Sequence, residues 1–262
     1  MLDIQNGSSK LNIPIKTVGI RNLKLPIFIV KKNNNEDQHT VADIDVFVDL
    51  AGNQKGIHMS RLPQQLQKQL STKLSLKKIN DIAENIKNIS EADRCQIIYK
   101  FPYFINKSAP VSEEIGIVYY NVTFDVTNSN GNTSCFIMTI ETTATSLCPC
   151  SKEISKYGAH NQRSKIKIQC QIKDFEFIYI EDLIEISERN ASCPIYSVLK
   201  RVDEKFVTEQ AYENPKFVED MVRELFDDLT HTIKDKVNWY KVLVSNEESI
   251  HQHDAYCSLS SL

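Results

Sequence analysis

Residues 41–50 read VADIDVFVDL. The alternation sets Ile44, Val46, Val48 and Leu50 on one face and Asp43, Asp45 and Asp49 on the other, the pattern of a half-buried strand. Upstream, the apolar segment Leu23 to Val30 ends in the polar run KKNNNEDQ (31–38), which suits a hairpin connection. Downstream, Leu62, Leu66 and Leu70 recur at helical spacing within 60–74, as do Ile79, Ile82 and Ile86 within 79–89. Sequence rich in β-branched and aromatic residues then returns at CQIIYKFPYFI (95–105) and IGIVYYNVTFDV (115–126), closed by the turn cluster NSNGN (128–132). The first half therefore reads ββααββ.

The second half repeats that order without a residue-level repeat. Strands are expected at 134–143 and 165–180, helices near 181–188 and 217–233, and strands at 237–244 and 253–260. Antiparallel strands grouped around paired helices indicate an α+β fold and not a doubly wound parallel sheet. The boundary is placed at NSNGN, giving modules 1–130 and 131–262.

The chain has 262 residues, 41% hydrophobic and 25% charged, as in an ordinary folded domain. A net charge of −3 offers no global attraction to nucleic acid, so an anionic ligand must be held by a local cluster. No apolar run is long enough to span a bilayer, and the opening segment is polar, so a cytoplasmic protein is expected. Seven scattered cysteines, an odd number, favour reduced thiols over a disulfide framework. None of the seven glycines falls in a GxGxxG or GxxxxGK[ST] loop, which removes dinucleotide-fold and P-loop enzymes.

Chemistry-bearing residues concentrate in ETTATSLCPCSKEISKYGAHNQRS (141–164). A thiolate at Cys148 or Cys150 and the imidazole of His160 are good ligands for a borderline-soft divalent metal. Pro149 is expected to prevent regular helix between the thiols, with Cys148 just past a strand end. The plainer reading is two small packed thiols and a surface histidine. In CPIYSVLKRVDEKFVTEQAYENPKFVEDMVREL (193–225), Phe217, Met221 and Leu225 form an apolar stripe that reads as core. Glu219 sits at the start of the same helix, where the macrodipole alone would favour a carboxylate. A third cluster, ESIHQHDAY (248–256), gathers Glu248, His251 and His253; in extended backbone both imidazoles share a face.

Four segments in order, KGIHMSRL (55–62), SLCPCSKEIS with GAHNQRS (146–164), KRVDEKFVTEQAYENPKFVED (200–220) and ESIHQHDAY (248–256), resemble the motifs of the type IB GTP cyclohydrolases. Val202 departs from the pattern, where proline is expected, a change to a loop residue that touches neither carboxylate. The resemblance implies a tunnelling fold, in which two ββααββ modules per chain assemble into barrels, as a homotetramer with active sites at subunit interfaces. It implies conversion of GTP and water to formate and 7,8-dihydroneopterin triphosphate, the first step towards folate. Cys148, His160 and Glu204 then match the ligands of a catalytic divalent metal (zinc, manganese or iron), Glu219 the glutamate that grips the purine edge, and Glu248 with His251 an acid–base pair. For the triphosphate, Lys55, His58, Arg61, Lys152 and Arg163 are the basic candidates. Neighbouring alternatives are a covalent nucleophile at Cys148, as in the related nitrile reductases, a non-catalytic metal or purine sensor, and a cyclohydrolase giving a cyclic-phosphate pterin.

Overall fold

A computed structural model describes residues 7–32, 37–131 and 134–262. Residues 33–36 of the polar run, and Asn132 of NSNGN, lie outside the described residues. In chain order come β1 (Ile15–Ile29), β2 (Gln38–Leu50), α1 (Arg61–Gln69), α2 (Leu76–Ile89), β3 (Arg94–Ser108) and β4 (Ile115–Ser129). The second half holds β5 (Cys135–Leu147), α3 (Pro149–Ile154), β6 (Asn161–Ile172), α4 (Ile180–Arg189), β7 (Cys193–Pro194), α5 (Arg201–Glu213), α6 (Val218–Ile233), β8 (Val237–Glu247) and β9 (Ala255–Ser260). Among the described residues these strands follow the order β1-β2-β3-β4-β5-β6-β8-β9, with β7 paired to β5. The chain divides into two compact units, 1–102 with 123–138, and 103–122 with 139–262.

In the first unit, β1 and β2 form the expected antiparallel pair, with Ile20 opposite Val46 and Ile27 opposite Thr40. Ile44, Val46, Val48 and Leu50 are buried, as their alternation requires. Gly19 permits the close approach at this pair, because a Cβ there would lie 1.9 Å from the Val46 carbonyl oxygen. Leu62, Leu66, Ile79, Ile82 and Ile86 bury one stripe of each helix. The Ser75 hydroxyl caps α2 by accepting from the Lys78 N–H at 3.2 Å. One aspartate departs from the alternation. Asp45 is buried, and it accepts from the Asn22 N–H at 2.9 Å and from Lys100 at 3.3 Å, partners that offset its loss of water.

In the second unit, β6 pairs with β8 and β8 with β9, all antiparallel. Met221, Leu225 and Leu229 of α6 are buried, as are Ile166 and Ile168 of β6 and Val242 and Val244 of β8. Arg189 at the end of α4 forks onto Asp228 of α6, with bonds of 2.7 and 2.5 Å.

Three sequence expectations change here. The strand expected over 165–180 ends at Ile172, because Asp174 and Phe175 take positive φ values of 47° and 59° and turn the chain. Helix α5 has no counterpart in the sequence reading, since among its buried residues only Asp203 and Ala211 appear and its apolar periodicity is weak. Val202 therefore stands in the first turn of α5 and not in a loop; it is exposed, at a position where proline is also tolerated. Finally, the strand expected from His253 begins at Ala255.

Candidate active site

Strand β5 ends at Leu147, and Cys148 follows in extended backbone as the N-cap of α3. Pro149 does not break this segment. It occupies the first helical turn, where its missing N–H costs nothing, and so starts α3. The Cys148 N–H donates to the His160 carbonyl at 3.1 Å. Ser151 ties the same two residues: its hydroxyl donates to the Cys148 carbonyl at 3.1 Å and accepts from the His160 N–H at 3.2 Å. Gly158, at φ 118°, lets the intervening chain turn back. Two residues twelve apart in sequence are thus fixed side by side.

The floor beneath them is apolar. Leu147, Cys193 and Ala211 form a buried cluster joined by Ala159 and Val207. Leu147 precedes Cys148, Ala159 precedes His160, and Val207 with Ala211 comes from α5. On that helix Glu204, Val207 and Ala211 stand at i, i+3 and i+7, one face. Glu204 itself is exposed. Its neighbour Asp203 is fully buried and accepts from the Val111 N–H (2.9 Å), the Ser112 N–H (2.8 Å), the Ser112 hydroxyl (2.5 Å) and the Lys200 N–H (2.8 Å). Burial pushes this carboxyl up, but the Ser112, Lys200 and Val111 hydrogen bonds outweigh it and hold the group well below the usual carboxylate range.

A polar chain runs from His160. Its Nδ1 lies 3.0 Å from Gln162 Oε1 and 3.9 Å from Glu248 Oε2. Gln162 Nε2 donates to Ser146 Oγ at 2.9 Å and to Glu248 Oε1 at 3.4 Å. Glu248 therefore turns towards His160. His251 is joined to Glu248 through its main chain, donating to the Glu248 carbonyl at 3.4 Å, while its ring stacks on His253 with centroids 5.0 Å apart. The segment carrying these imidazoles is a bend and not the extended backbone considered above.

Glu219 is exposed in the first turn of α6, as expected. Phe217 is not core, unlike Met221 and Leu225: it caps α6 and is 41% exposed. Lys152 donates to the Tyr212 carbonyl at 2.5 Å and lies over the Tyr212 ring. Arg163 lines a cavity of about 290 Å³ with Tyr119, Glu141, Thr143 and Tyr196. Lys55, His58 and Arg61 belong to the first unit, where His58 and Arg61 line a small cavity with Gln54 and Glu91.

The sulfur and imidazole of Cys148 and His160 have the donor chemistry that a borderline-soft divalent cation takes. Among the described residues of the single chain, however, no three His, Cys, Asp or Glu side chains converge closely enough to hold an ion. Burial pushes the thiols of Cys95 and Cys170 up to about 12 and that of Cys193 to about 11, in keeping with their places in the packed core. The sequence reading missed Gln162 and Ser146. Their signal is position: Gln162 lies two residues after His160 and Ser146 two before Cys148.

A family model described as "Type I GTP cyclohydrolase folE2" matches residues 1–257. The chain belongs to that family. A GTP cyclohydrolase FolE2 from Thermosipho africanus is 43% identical, covering 100% of this chain and 98% of its own. Another from Magnetococcus marinus is 44% identical over 97% and 93%. Among solved structures, a uricase from Bacillus fastidious aligns with TM-score 0.57 at 7% identity, covering 96% of this chain and 93% of that one. The uricase of Arthrobacter globiformis aligns with TM-score 0.52 at 9% identity, covering 96% and 95%. At such low identity the likeness concerns the fold alone, and it is the α+β tunnelling fold. Membership of the cyclohydrolase family rests on the full-length sequence match.

Proposed function

We propose that this protein converts GTP and water to formate and 7,8-dihydroneopterin triphosphate, supplying the pterin for folate synthesis. The observation that carries the reading is the full-length family match, joined to the fixing of Cys148 beside His160 within it.

Opening the guanine imidazole at C8 requires a nucleophile that is strong near neutral pH. Cys148, His160 and Glu204 are the residues proposed to hold a divalent cation, zinc, manganese or iron. Supporting Glu204 is its place on the α5 stripe that packs, through Val207 and Ala211, on the apolar floor beneath the other two. Such a cation, when bound, supplies Lewis acidity that can bring the pKa of water to about 7.

The protein's own groups do the rest. Glu219 accepts two hydrogen bonds from guanine N1–H and the exocyclic amine, a donor pair adenine does not present on that edge. The imidazole of His251 delivers protons to N7 and N9 as the C–N bonds break, and Glu248 relays or orients them. The triphosphate is met by basic side chains from Lys55, His58, Arg61, Lys152 and Arg163.

The active form is proposed to be a cytoplasmic homotetramer of 1–130 and 131–262 modules, with active sites at subunit interfaces. Strands β1 and β9 stand at the ends of the strand order, and Ile115, Ile117 and Tyr119 on β4 are more than 60% exposed, features that suit pairing with further copies. No helix among the described residues is long and apolar enough to cross a membrane.

Incubating the purified protein with GTP and Mn²⁺, with and without chelator, tests the reading. A fluorescent pterin after oxidation, lost with chelator, is the expected result, and no pterin under either condition overturns it. Phosphorus NMR distinguishes the linear triphosphate from a cyclic phosphate.

A further inference from the structure

Every metal-ligand or proton-transfer role for His160 depends on which ring nitrogen carries the proton. The surroundings of Gln162 settle that by elimination. The Gln162 atom facing Glu248 Oε1, at 3.4 Å, is its amide nitrogen, a donor set against a carboxylate oxygen. The second N–H of that amide is used by Ser146 Oγ, at 2.9 Å. The Gln162 carbonyl oxygen is then the atom left for His160 Nδ1 at 3.0 Å, and a carbonyl oxygen there requires Nδ1 to be the donor. Gln162 is 8% exposed and Ser146 fully buried, and a reversed amide would set its oxygen against the Glu248 carboxylate oxygen away from bulk water. The lone pair is thereby placed on Nε2.

We infer that Gln162 is a positioning residue that fixes His160 as the Nδ1–H tautomer, with Ser146 and Glu248 holding the Gln162 amide in the orientation this demands. The inference rests on the reading of His160 as a working residue of the site, but it concerns the metal-free ring itself. Ordinarily a metal-binding histidine donates its second ring nitrogen to an oxygen acceptor that fixes tautomer and orientation. Here a neutral amide takes that place, with the carboxylate one step further out.

The test uses the full-length protein with ¹⁵N-labelled histidine, at mildly alkaline pH where an ordinary imidazole is neutral. In the metal-free wild type, His160 should show a protonated Nδ1 and an unprotonated Nε2; the opposite tautomer overturns the inference without any variant. Gln162→Met, close in size but without the acceptor, should lose the tautomer preference and weaken Zn²⁺ binding by about 10- to 100-fold in competition with a chromophoric chelator. Gln162→Glu, which keeps an acceptor towards Nδ1, should keep the tautomer and bind Zn²⁺ more tightly than Gln162→Met. A Gln162→Met protein with wild-type tautomer and Zn²⁺ affinity would overturn it. If His160→Ala binds Zn²⁺ like the wild type, the ligand reading of His160 fails, while the tautomer of the wild-type ring still decides the role of Gln162.

Discussion

The main-chain N–H of Cys148 donates to the carbonyl oxygen of His160 across 3.1 Å, so the thiol at the end of β5 and the imidazole at the start of β6 are held as one unit. Either side chain can be removed without disturbing that main-chain bond. Cys148→Ala and His160→Ala should therefore fold as the wild type does, yet each should lose turnover by at least about 100-fold and bind less metal. Metal analysis beside the pterin assay checks this, and normal metal content with normal activity in both would remove their assignment.

Glu219 is exposed on the first turn of α6, and no hydrogen bond of its side chain serves the fold among those described. Glu219→Gln exchanges an acceptor for a donor where guanine presents N1–H. GTP binding should weaken by about 2 kcal/mol or more, roughly 30-fold, with metal content unchanged. Equal GTP affinity, measured by calorimetry, would exclude the proposed contact.

Asp203 stands one residue before Glu204 and joins the start of α5 to the turn at Val111 and Ser112. Removing its carboxylate in Asp203→Ala strands three main-chain N–H groups. The unfolding temperature should fall by several degrees, and amide hydrogen exchange at 111–112 and 200–203 should quicken, more than in Glu204→Ala. Indistinguishable exchange in the two variants would show that the anchor is dispensable.

The Arg189–Asp228 fork gives a pH dependence with a definite sign. The Arg189 hydrogen bonds, helped by Asn190 and opposed by burial, hold the Asp228 carboxyl below its ordinary value. A carboxyl lowered in the folded state contributes stability that is complete above its unfolded pKa, about 3.9, and is lost as pH falls through the lower folded value. Asp228→Asn should cost about 1 kcal/mol or less at neutral pH, given how exposed Arg189 is, and the gap to wild type should close below about pH 4. Denaturant titrations at pH 7 and pH 3 measure it; a gap that widens in acid contradicts the assignment.

What the sequence determined by itself was periodicity and motif chemistry. Alternation at 41–50 and helical spacing at 62–70 and 79–86 follow from which side of an element meets water, a property local to each segment. The first-half order ββααββ, the buried face of β2 and the position of Glu219 were legible for that reason. The segments carrying Cys148, His160, Glu204 and Glu248 were legible as motifs. Helix α5 was not, because it buries little and its main anchor, Asp203, is polar. Nor was the use of Pro149 as a helix start, since the same residue breaks a helix or opens one depending on where the preceding strand ends. Only the tertiary structure decided that Cys148 and His160 share a main-chain bond, that Glu248 turns to His160 while His251 stacks on His253, and that Gln162 joins His160, Glu248 and Ser146. Those are distances between chain segments up to 88 residues apart, between His160 and Glu248, and no local preference encodes them. Packing brings the segments together, and hydrogen-bond geometry then allows one arrangement of donors and acceptors.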